Sequence, residues 1–182
     1  SGVVFTDLSG TATIAAAGVI TADGAVTLDA DLGITTSADI TTTNDSITFN
    51  DATTLNAGIA LSTGAGAGTI AFNSTLDGTQ TLSLTAGTGN IDFDGIVGGT
   101  ALGAVTVVSV ANLVADAAFS AASFTQTNGS GTTTFTGAVA TTAIAGVSIT
   151  GTNLALNNTI TTTNSGVVFT DLSGTATIAA AG

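Results

Sequence analysis

The stretch SGVVFTDLSGTATIAAAG occupies residues 1–18 and returns unaltered at residues 165–182, an offset of 164 in a chain of 182 residues. Identical copies of this length indicate tandem duplication, because unrelated segments do not converge residue by residue. We therefore expect one full period of a longer array followed by the start of the next. Arrays of this kind are typical of solenoids, in which a single unit cannot bury its apolar face alone.

A weaker repeat divides the 164-residue period, and its units share a Thr-x-Thr, usually an Asn, and one central Phe. The sub-units are 19–58, 59–104, 105–146 and 147–182, and their central residues are Phe49, Phe93, Phe135 and Phe169. No change in composition marks a boundary between different domains. We therefore interpret residues 1–182 as one continuous repeat region.

Apolar and polar residues alternate within the sub-units, as in AVTLDADL (25–32), TQTLSLT (79–85) and AVTVVSV (104–110). A period of two predicts β-strands. In the first stretch we expect one face to carry Val26, Leu28, Ala30 and Leu32. Helical spacing with caps is not sustained anywhere, and only the Ala-rich run 115–122 could suggest a helix.

Strand centres recur at intervals of just over twenty positions, as from Phe72 to Phe93 and from Leu82 to Val105. This spacing predicts an all-β fold, a parallel β-solenoid with coils of about 20 residues and two or three short strands per coil. Tandem antiparallel sandwiches are the alternative, but they need about 100 residues per domain and larger aromatic cores. Eight Phe with no Trp or Tyr favour a narrow core of aliphatic and Phe ladders.

The composition excludes most enzyme chemistry, since the chain has no Lys, Arg, His or Cys and a formal net charge of -12. It cannot build a Ser-His-Asp or Cys-His site, a His/Cys metal site or a Lys Schiff base. Nucleic acid is an unsuitable partner because phosphate neutralisation needs basic side chains. We predict that the protein is not an enzyme; a polysaccharide-cleaving β-helix using Asp pairs alone is a remote third hypothesis.

No apolar run approaches the roughly 20 residues of a membrane-spanning helix, because Thr, Ser, Asn and Gly interrupt each one. We therefore expect no membrane insertion. From Ala117 to Thr170 the chain has no ionisable side chain. With 44% hydrophobic residues in patterned positions, we expect an ordered core rather than disorder.

Two Asp pairs, Asp29 with Asp31 and Asp92 with Asp94, are candidate calcium ligands because carboxylates at i and i+2 point to one side of a strand. The stretch AGTGNIDFDG (86–95) loosely resembles the calcium-binding nonapeptide of secreted toxins, with a spacing from Gly to Asp that is one residue longer. The alternative is a solvated acidic face beside an ordinary turn. Apart from this calcium candidate we predict no cofactor.

Threonine pairs and asparagines are the remaining candidate features. The Thr pairs are Thr41/Thr43, Thr125/Thr127 and Thr161/Thr163, and outward Thr rows suggest ice binding only if they recur on every coil. These gaps are uneven, which favours ordinary strand surface. The asparagines that lie three to seven residues before a central Phe are Asn44, Asn90, Asn128 and Asn164, which we interpret as turn or ladder residues that set the register.

The composition and the Thr-x-Thr, Asn and Phe pattern resemble the β-strand-repeat shafts of giant secreted bacterial surface proteins. These include the filamentous-haemagglutinin-like adhesins and the grappling-hook-like filaments of predatory bacteria. The resemblance covers the whole chain and implies secretion to the cell surface, great length and a mechanical or adhesive role. It transfers no site residue, and this chain lacks basic residues for salt bridges between shafts.

We therefore expect a structural extracellular filament that associates with copies of itself and supports adhesion or attachment to prey or surfaces. Cell-surface glycans would be bound through domains outside this region. The alternative function is a repeat binding module for calcium, glycan or ice. We also expect a piece cut from such an array to associate end to end, because its terminal strands have unpaired edges.

Overall fold

The structure is a computed structural model that describes residues 1–163 and 165–179. Over these residues the chain forms β-strands and no α-helix, and every strand pair is parallel. The strands stack in about eight coils of roughly 21 residues. This confirms the parallel β-solenoid and excludes the antiparallel sandwich.

Each complete coil has three strand positions. In the first four coils these are β1 (Val3–Leu8), β2 (Ala12–Ile14), β3 (Ile20–Ala22), β4 (Val26–Ala30), β5 (Ile34–Thr36), β6 (Ile40–Thr42), β7 (Ile47–Phe49), β8 (Thr53–Leu55), β9 (Ile59–Ser62), β10 (Ile70–Phe72), β11 (Leu76–Asp77) and β12 (Leu82–Thr85). The later strands are β13 (Ile91–Phe93), β14 (Val97–Ser109), β15 (Leu113–Ala115), β16 (Phe119–Gln126), β17 (Thr132–Phe135), β18 (Val139–Thr141), β19 (Val147–Thr150), β20 (Asn153–Leu156), β21 (Ile160–Thr162), β22 (Val167–Thr170) and β23 (Ala176–Ile178).

The three positions form three faces of the rod. The first face is the sheet β1-β4-β7-β10-β13-β15-β17-β20-β23. The second face is the ladder of β2, β5, β8, β11, the start of β14, the start of β16, β18 and β21. The third face is the ladder of β3, β6, β9, β12, the end of β14, the end of β16, β19 and β22. The second and third faces are joined because β14 and β16 run through the corner between them.

The core is a column of inward side chains at alternate strand positions. Aromatic rings run through its middle: Phe49 stacks on Phe72 with centroids 4.7 Å apart, and Phe72 stacks on Phe93 at 5.5 Å. The column continues with edge-to-face contacts through Phe119 to Phe135 at 5.8 Å each. Because these rings rest on one another from coil to coil, and aliphatic side chains such as Leu28 and Leu156 take the same position in other coils, the predicted aliphatic and Phe ladder is confirmed.

One local expectation was wrong. Leu32 does not share the inward face of Val26, since it is 73% exposed. Strand β4 ends at Ala30, and the chain turns there with Gly33 N donating to Ala30 O at 2.7 Å, so the period of two is lost before Leu32 is reached. The Ala-rich run 115–122 is not helical; it contains the end of β15, a corner and the start of β16.

A bulge widens the corner inside β14. The register jumps there, with Val97 opposite Phe119 but Leu102 opposite Ala121. Gly98 has φ +73, and a Cβ on it would overlap the carbonyl oxygen of Ser120, so only glycine fits. The bulged backbone is held from the coil below by Asp77, whose Oδ1 accepts the Thr100 N–H at 2.8 Å.

Candidate functional surfaces

A column of side chains, mostly Asp and Asn with one Thr, lines the corner where the chain leaves the first face. Its members are Asp29, Asn50, Asn73, Asp94, Asp116, Thr136 and Asn157. From Asn50 onward, the backbone N–H of each member donates to the carbonyl oxygen of a core residue in the preceding coil, so the members occupy equivalent positions. Asn50 Nδ2 donates to Asp29 Oδ2 at 3.2 Å, and Asn73 Nδ2 donates to Asn50 Oδ1 at 2.9 Å. This corner column therefore ties successive coils together through side chains as well as backbone.

Carboxylates are concentrated in the middle of the corner column. Asp92 and Asp94 flank the inward Phe93, and Asp116 lies one coil further on. Partial burial, followed by the charges of Asp94 and Asp116, raises the pKa of the Asp92 carboxyl above its ordinary value. The fold therefore disfavours the ionised form of this side chain.

The two calcium candidate pairs are placed differently. Asp29 belongs to the corner column, whereas Asp31 lies beyond the end of β4, with its N–H donating to Leu8 O at 2.8 Å. Asp94 belongs to the same column as Asp29, and Asp92 lies in β13 on the first face. Over residues 1–163 and 165–179, no group of three or more Asp side chains has an arrangement that could hold a metal ion. The assignment of these four residues to calcium stays a prediction.

The AGTGNIDFDG stretch forms a tight turn before β13. Gly87 has φ +57, and Gly89 N donates to Ala86 O at 2.7 Å. Thr88 N also donates to Gly66 O at 2.9 Å, so this turn stacks on the turn of the preceding coil. An ordinary turn accounts for these glycines.

Asparagines form a second ladder where the chain enters the first face. Asn90 Oδ1 accepts the N–H of Asn112 at 3.2 Å, and Asn112 Oδ1 accepts the N–H of Thr132 at 2.9 Å. Asn153 Oδ1 accepts the N–H of Thr175 at 2.8 Å in the same way. The prediction of a ladder role is confirmed for Asn90.

Asn44 and Asn128 lie in turns, which agrees with the prediction of a turn or ladder role. Asn44 is a turn residue with φ +66, and its Oδ1 accepts the Gly66 N–H at 2.7 Å. Asn128 lies in an exposed turn and accepts the Val110 N–H through its backbone oxygen at 3.1 Å. Asn164 lies outside the described residues.

The ladder roles of Asn50, Asn73, Asn112 and Asn153 were not predicted, because the predicted asparagines were those that precede a central Phe within a sub-unit signature. The usable signal was Asn recurring at the length of one coil, as from Asn90 to Asn112 and from Asn50 to Asn73.

The threonine pairs do not form one array. Thr41 and Thr125 lie on the third face, in β6 and β16, whereas Thr161 lies on the second face in β21. Thr127 lies in a turn and donates its hydroxyl to Val108 O at 2.8 Å. The interpretation of these threonines as polar strand surface, rather than as a repeating ice-binding row, agrees with this placement.

The uncharged segment 117–170 is a band around the rod rather than one side of it. It contains β16 to β22, which lie on all three faces of the last coils. The largest exposed apolar side chain in this band is Ile144, at 86% exposure, in the loop between β18 and β19. Ten of the twelve Asp residues precede Asp116, so charge is segregated along the axis.

Both ends of the solenoid open the core to solvent. At one end a depression of about 360 Å³ is lined by apolar side chains that include Phe5, Leu8 and Ile14. At the other end Ile160, Phe169 and Ile178 line a similar depression of about 320 Å³. Within residues 1–163 and 165–179 the terminal strands also have an unpaired hydrogen-bonding edge, and the expectation of end-to-end association is based on such edges.

Comparison with known proteins gives no relative: no family model, no curated protein and no solved structure matches this chain. In the part of the chain that the structure describes, no helix is long and apolar enough to cross a membrane.

Proposed function

We propose that this chain is a segment of a structural shaft in a large repetitive extracellular surface protein. Its role is to set length and stiffness, and its uncharged band associates with copies of itself in support of adhesion. One observation carries the proposal. Strands β22 and β23, which belong to the second copy of the repeated segment, extend the same ladders as the strands before them, with β22 on β19 and β23 on β20.

Continuity of the core supports a load-bearing role. Phe72 is in contact with rings of the coils on both sides, and its strand pairs with β7 and β13. Each coil is therefore stabilised mainly by its neighbours, and added copies lengthen the rod without a new fold. A chain without basic side chains also presents no cleavage site to a trypsin-type protease, which suits an exposed extracellular fibre.

The charge distribution determines how such rods meet. A net charge of -12 with no basic side chain makes rods repel one another. The Debye length is about 8 Å at physiological ionic strength, so salt screens exposed carboxylates on neighbouring rods. The band 117–170 carries no charge of its own, so electrostatic repulsion between two rods is smallest where these bands meet. Assembly should therefore strengthen as salt rises.

The test is sedimentation and light scattering of the purified chain from about 10 mM to 500 mM NaCl, a range over which the Debye length falls from about 30 Å to a few ångströms. We expect the mean mass to rise with salt. Assemblies that dissolve as salt rises, or a chain that stays monomeric at high concentration and high salt, would contradict the proposal.

A matched pair of variants locates the contact. Ile144→Asp and Leu32→Asp each replace a highly exposed apolar side chain, at 86% and 73% exposure, with a carboxylate. Only Ile144 lies in the uncharged band. We expect Ile144→Asp to weaken assembly several-fold more than Leu32→Asp. Equal effects of the two substitutions would show that the uncharged band is not the contact surface.

Calorimetry with CaCl₂ separates the shaft from the calcium-binding alternative. If calcium acts on the shaft only by screening charge, CaCl₂ and NaCl of equal ionic strength should promote assembly to a similar degree, because screening depends on ionic strength. A saturable isotherm that is lost in Asp92→Asn would instead favour a binding module.

A further inference from the structure

The repeated segment occurs twice in the structure, and the two copies occupy different faces. In the first copy, β1 lies on the first face and β2 on the second. In the second copy, the equivalent strands β22 and β23 lie on the third and first faces. The same residues have therefore moved back by one face.

The inward and outward positions of the segment do not change. Phe5 lies opposite Leu28, which is fully buried, and Val4 points outward beside Thr27. In the second copy Phe169 lies opposite the fully buried Ile149, and Val168 points outward beside Ser148. The sequence thus determines which side chains enter the core, but it does not determine the face.

The turn that follows the strand is also the same in both copies. Asp7 has φ +53 and its equivalent Asp171 has φ +54, a left-handed conformation that is uncommon for a residue other than glycine. The same sequence therefore adopts the same backbone conformation at two different corners of the rod.

A second motif shows the same transferability. The stretch ITTTN begins at Ile40 in β6 on the third face and at Ile160 in β21 on the second face. In the first, the Thr42 hydroxyl donates to the backbone oxygen of Asp45. In the second, the Thr162 hydroxyl donates to the backbone oxygen of Ser165 at 2.8 Å. The equivalent threonine hydroxyl therefore makes the equivalent hydrogen bond at both corners.

The shift arises because the last sub-unit has one strand position fewer than the others. Segments 19–58, 59–104 and 105–146 each fill six positions, counting β14 and β16 as two each, whereas 147–179 fills five, β19 to β23. One full period therefore advances the chain by seven coils and two faces. A whole number of coils would return the segment to its starting face.

We propose that successive copies of the 164-residue period are rotated by one face, a third of a turn, about the rod axis. The surface that receives each new copy is the edge of β19 and β20. The partner that fits this edge is the next copy of the repeat, which presents its VVFT strand to β19 and its ATI strand to β20. The inference rests on the proposed array, but not on self-association or on an extracellular location.

Rotation by one face preserves the packing inside each copy, because a whole copy turns as a unit and all its internal neighbours turn with it. Only the junction must fit, and it is well bonded. Leu154 N donates to Thr175 O at 2.9 Å, Ala179 N donates to Leu156 O at 2.8 Å, and Asn153 Oδ1 accepts the Thr175 N–H.

The rotation changes what a neighbouring rod meets. The corner column that contains Asp29 and Asp94 moves to the next corner with each period and returns to its starting corner after three periods. Each side of a long rod then carries both carboxylates and uncharged surface. Rods of this kind should pack into bundles with neighbours on all sides rather than into one-sided flat sheets.

The test uses the 182-residue chain, which has no cysteine, so that introduced pairs are its only thiols. The pair Ser148→Cys with Val168→Cys places two outward thiols on adjacent strands of the third face. The pair Ala155→Cys with Thr177→Cys does the same on the first face and serves as the standard. The control is Ala155→Cys with Val168→Cys, because Val168 would lie beside Ala155 if each copy began on the first face.

Each variant is treated at low concentration with dibromobimane, a short reagent that joins two neighbouring thiols, and intact mass distinguishes the intramolecular bridge from single additions. We expect the Ser148/Val168 yield to match the standard and to exceed the control about tenfold. A Ser148/Val168 yield at or below that of the control would overturn the rotation. Because the bridge forms within one chain, this outcome is independent of whether rods assemble with salt.

Discussion

Replacing Phe72 with alanine should destabilise the whole solenoid, because this ring lies in the middle of the aromatic column. Its side chain is 1% exposed and lies between Phe49, with centroids 4.7 Å apart, and Phe93, at 5.5 Å. Removing a buried Phe ring costs about 3–5 kcal/mol. Two stacked partners contribute about 0.5–1.5 kcal/mol each beyond area burial, which places Phe72→Ala towards the upper end. The flanking strands are hydrogen-bonded on both sides and cannot collapse into the cavity.

The assay is equilibrium urea unfolding followed by far-UV circular dichroism, because the chain has no Trp or Tyr for fluorescence. With a urea dependence of about 3 kcal/mol/M, Phe72→Ala should lower the midpoint by more than about 1 M. The control is Phe5→Ala, since this ring lies in the end coil and is 42% exposed. Phe72→Leu keeps most of the volume and should cost less than about 1.5 kcal/mol. A midpoint change for Phe72→Ala no larger than that for Phe5→Ala would refute the continuous core.

Three further changes test the corners and the acidic column. Gly98→Ala should cost about 1–3 kcal/mol in urea unfolding, because its φ is +73 and its Cβ would meet the Ser120 oxygen, whereas Gly10→Ala has open space and should be nearly neutral. Asp92→Asn should raise the thermal midpoint more at pH 7 than at pH 3. Because the pKa of Asp92 is raised in the fold, the contribution of this side chain to folding stability is fully present below about pH 3.9 and is lost as the pH rises through the folded pKa. Equal gains in the thermal midpoint at both pH values would contradict this assignment. Asn112→Ala removes side-chain hydrogen bonds to the coils on both sides and should lower stability by about 1–2 kcal/mol, which hydrogen exchange at the neighbouring amides should detect as faster opening.

The alternation of apolar and polar residues was enough to predict the strands and the solenoid. Along any strand every second side chain enters the core, whichever coil the strand belongs to. Val26 and Leu28 could therefore be assigned to inward positions without knowledge of the adjacent coils. The prediction failed at Leu32 because the end of β4 depends on a turn whose backbone bonds reach Leu8 and Gly10 in the coil below.

The candidate surfaces were predictable only in part, since a ladder is defined by residues one coil apart. Asn90 could be singled out by its place before Phe93, but its bonding to Asn112 needs the register between two coils. Asp92 and Asp94 could be paired from their spacing, whereas the proximity of Asp116, which adds to the raised pKa of Asp92, depends on how the next coil stacks.

By itself, the sequence determined that the chain is built of short strands whose side chains alternate between inward and outward positions, and that the segment 1–18 recurs unaltered at 165–182. Only the tertiary structure decided the face on which each strand lies. All three faces offer a parallel backbone edge and an apolar interior, and the VVFT strand occurs on the first face in one copy and on the third face in the other. The face is set by the number of corners that come before it, and the bulges and turns that make those corners are held by contacts between coils.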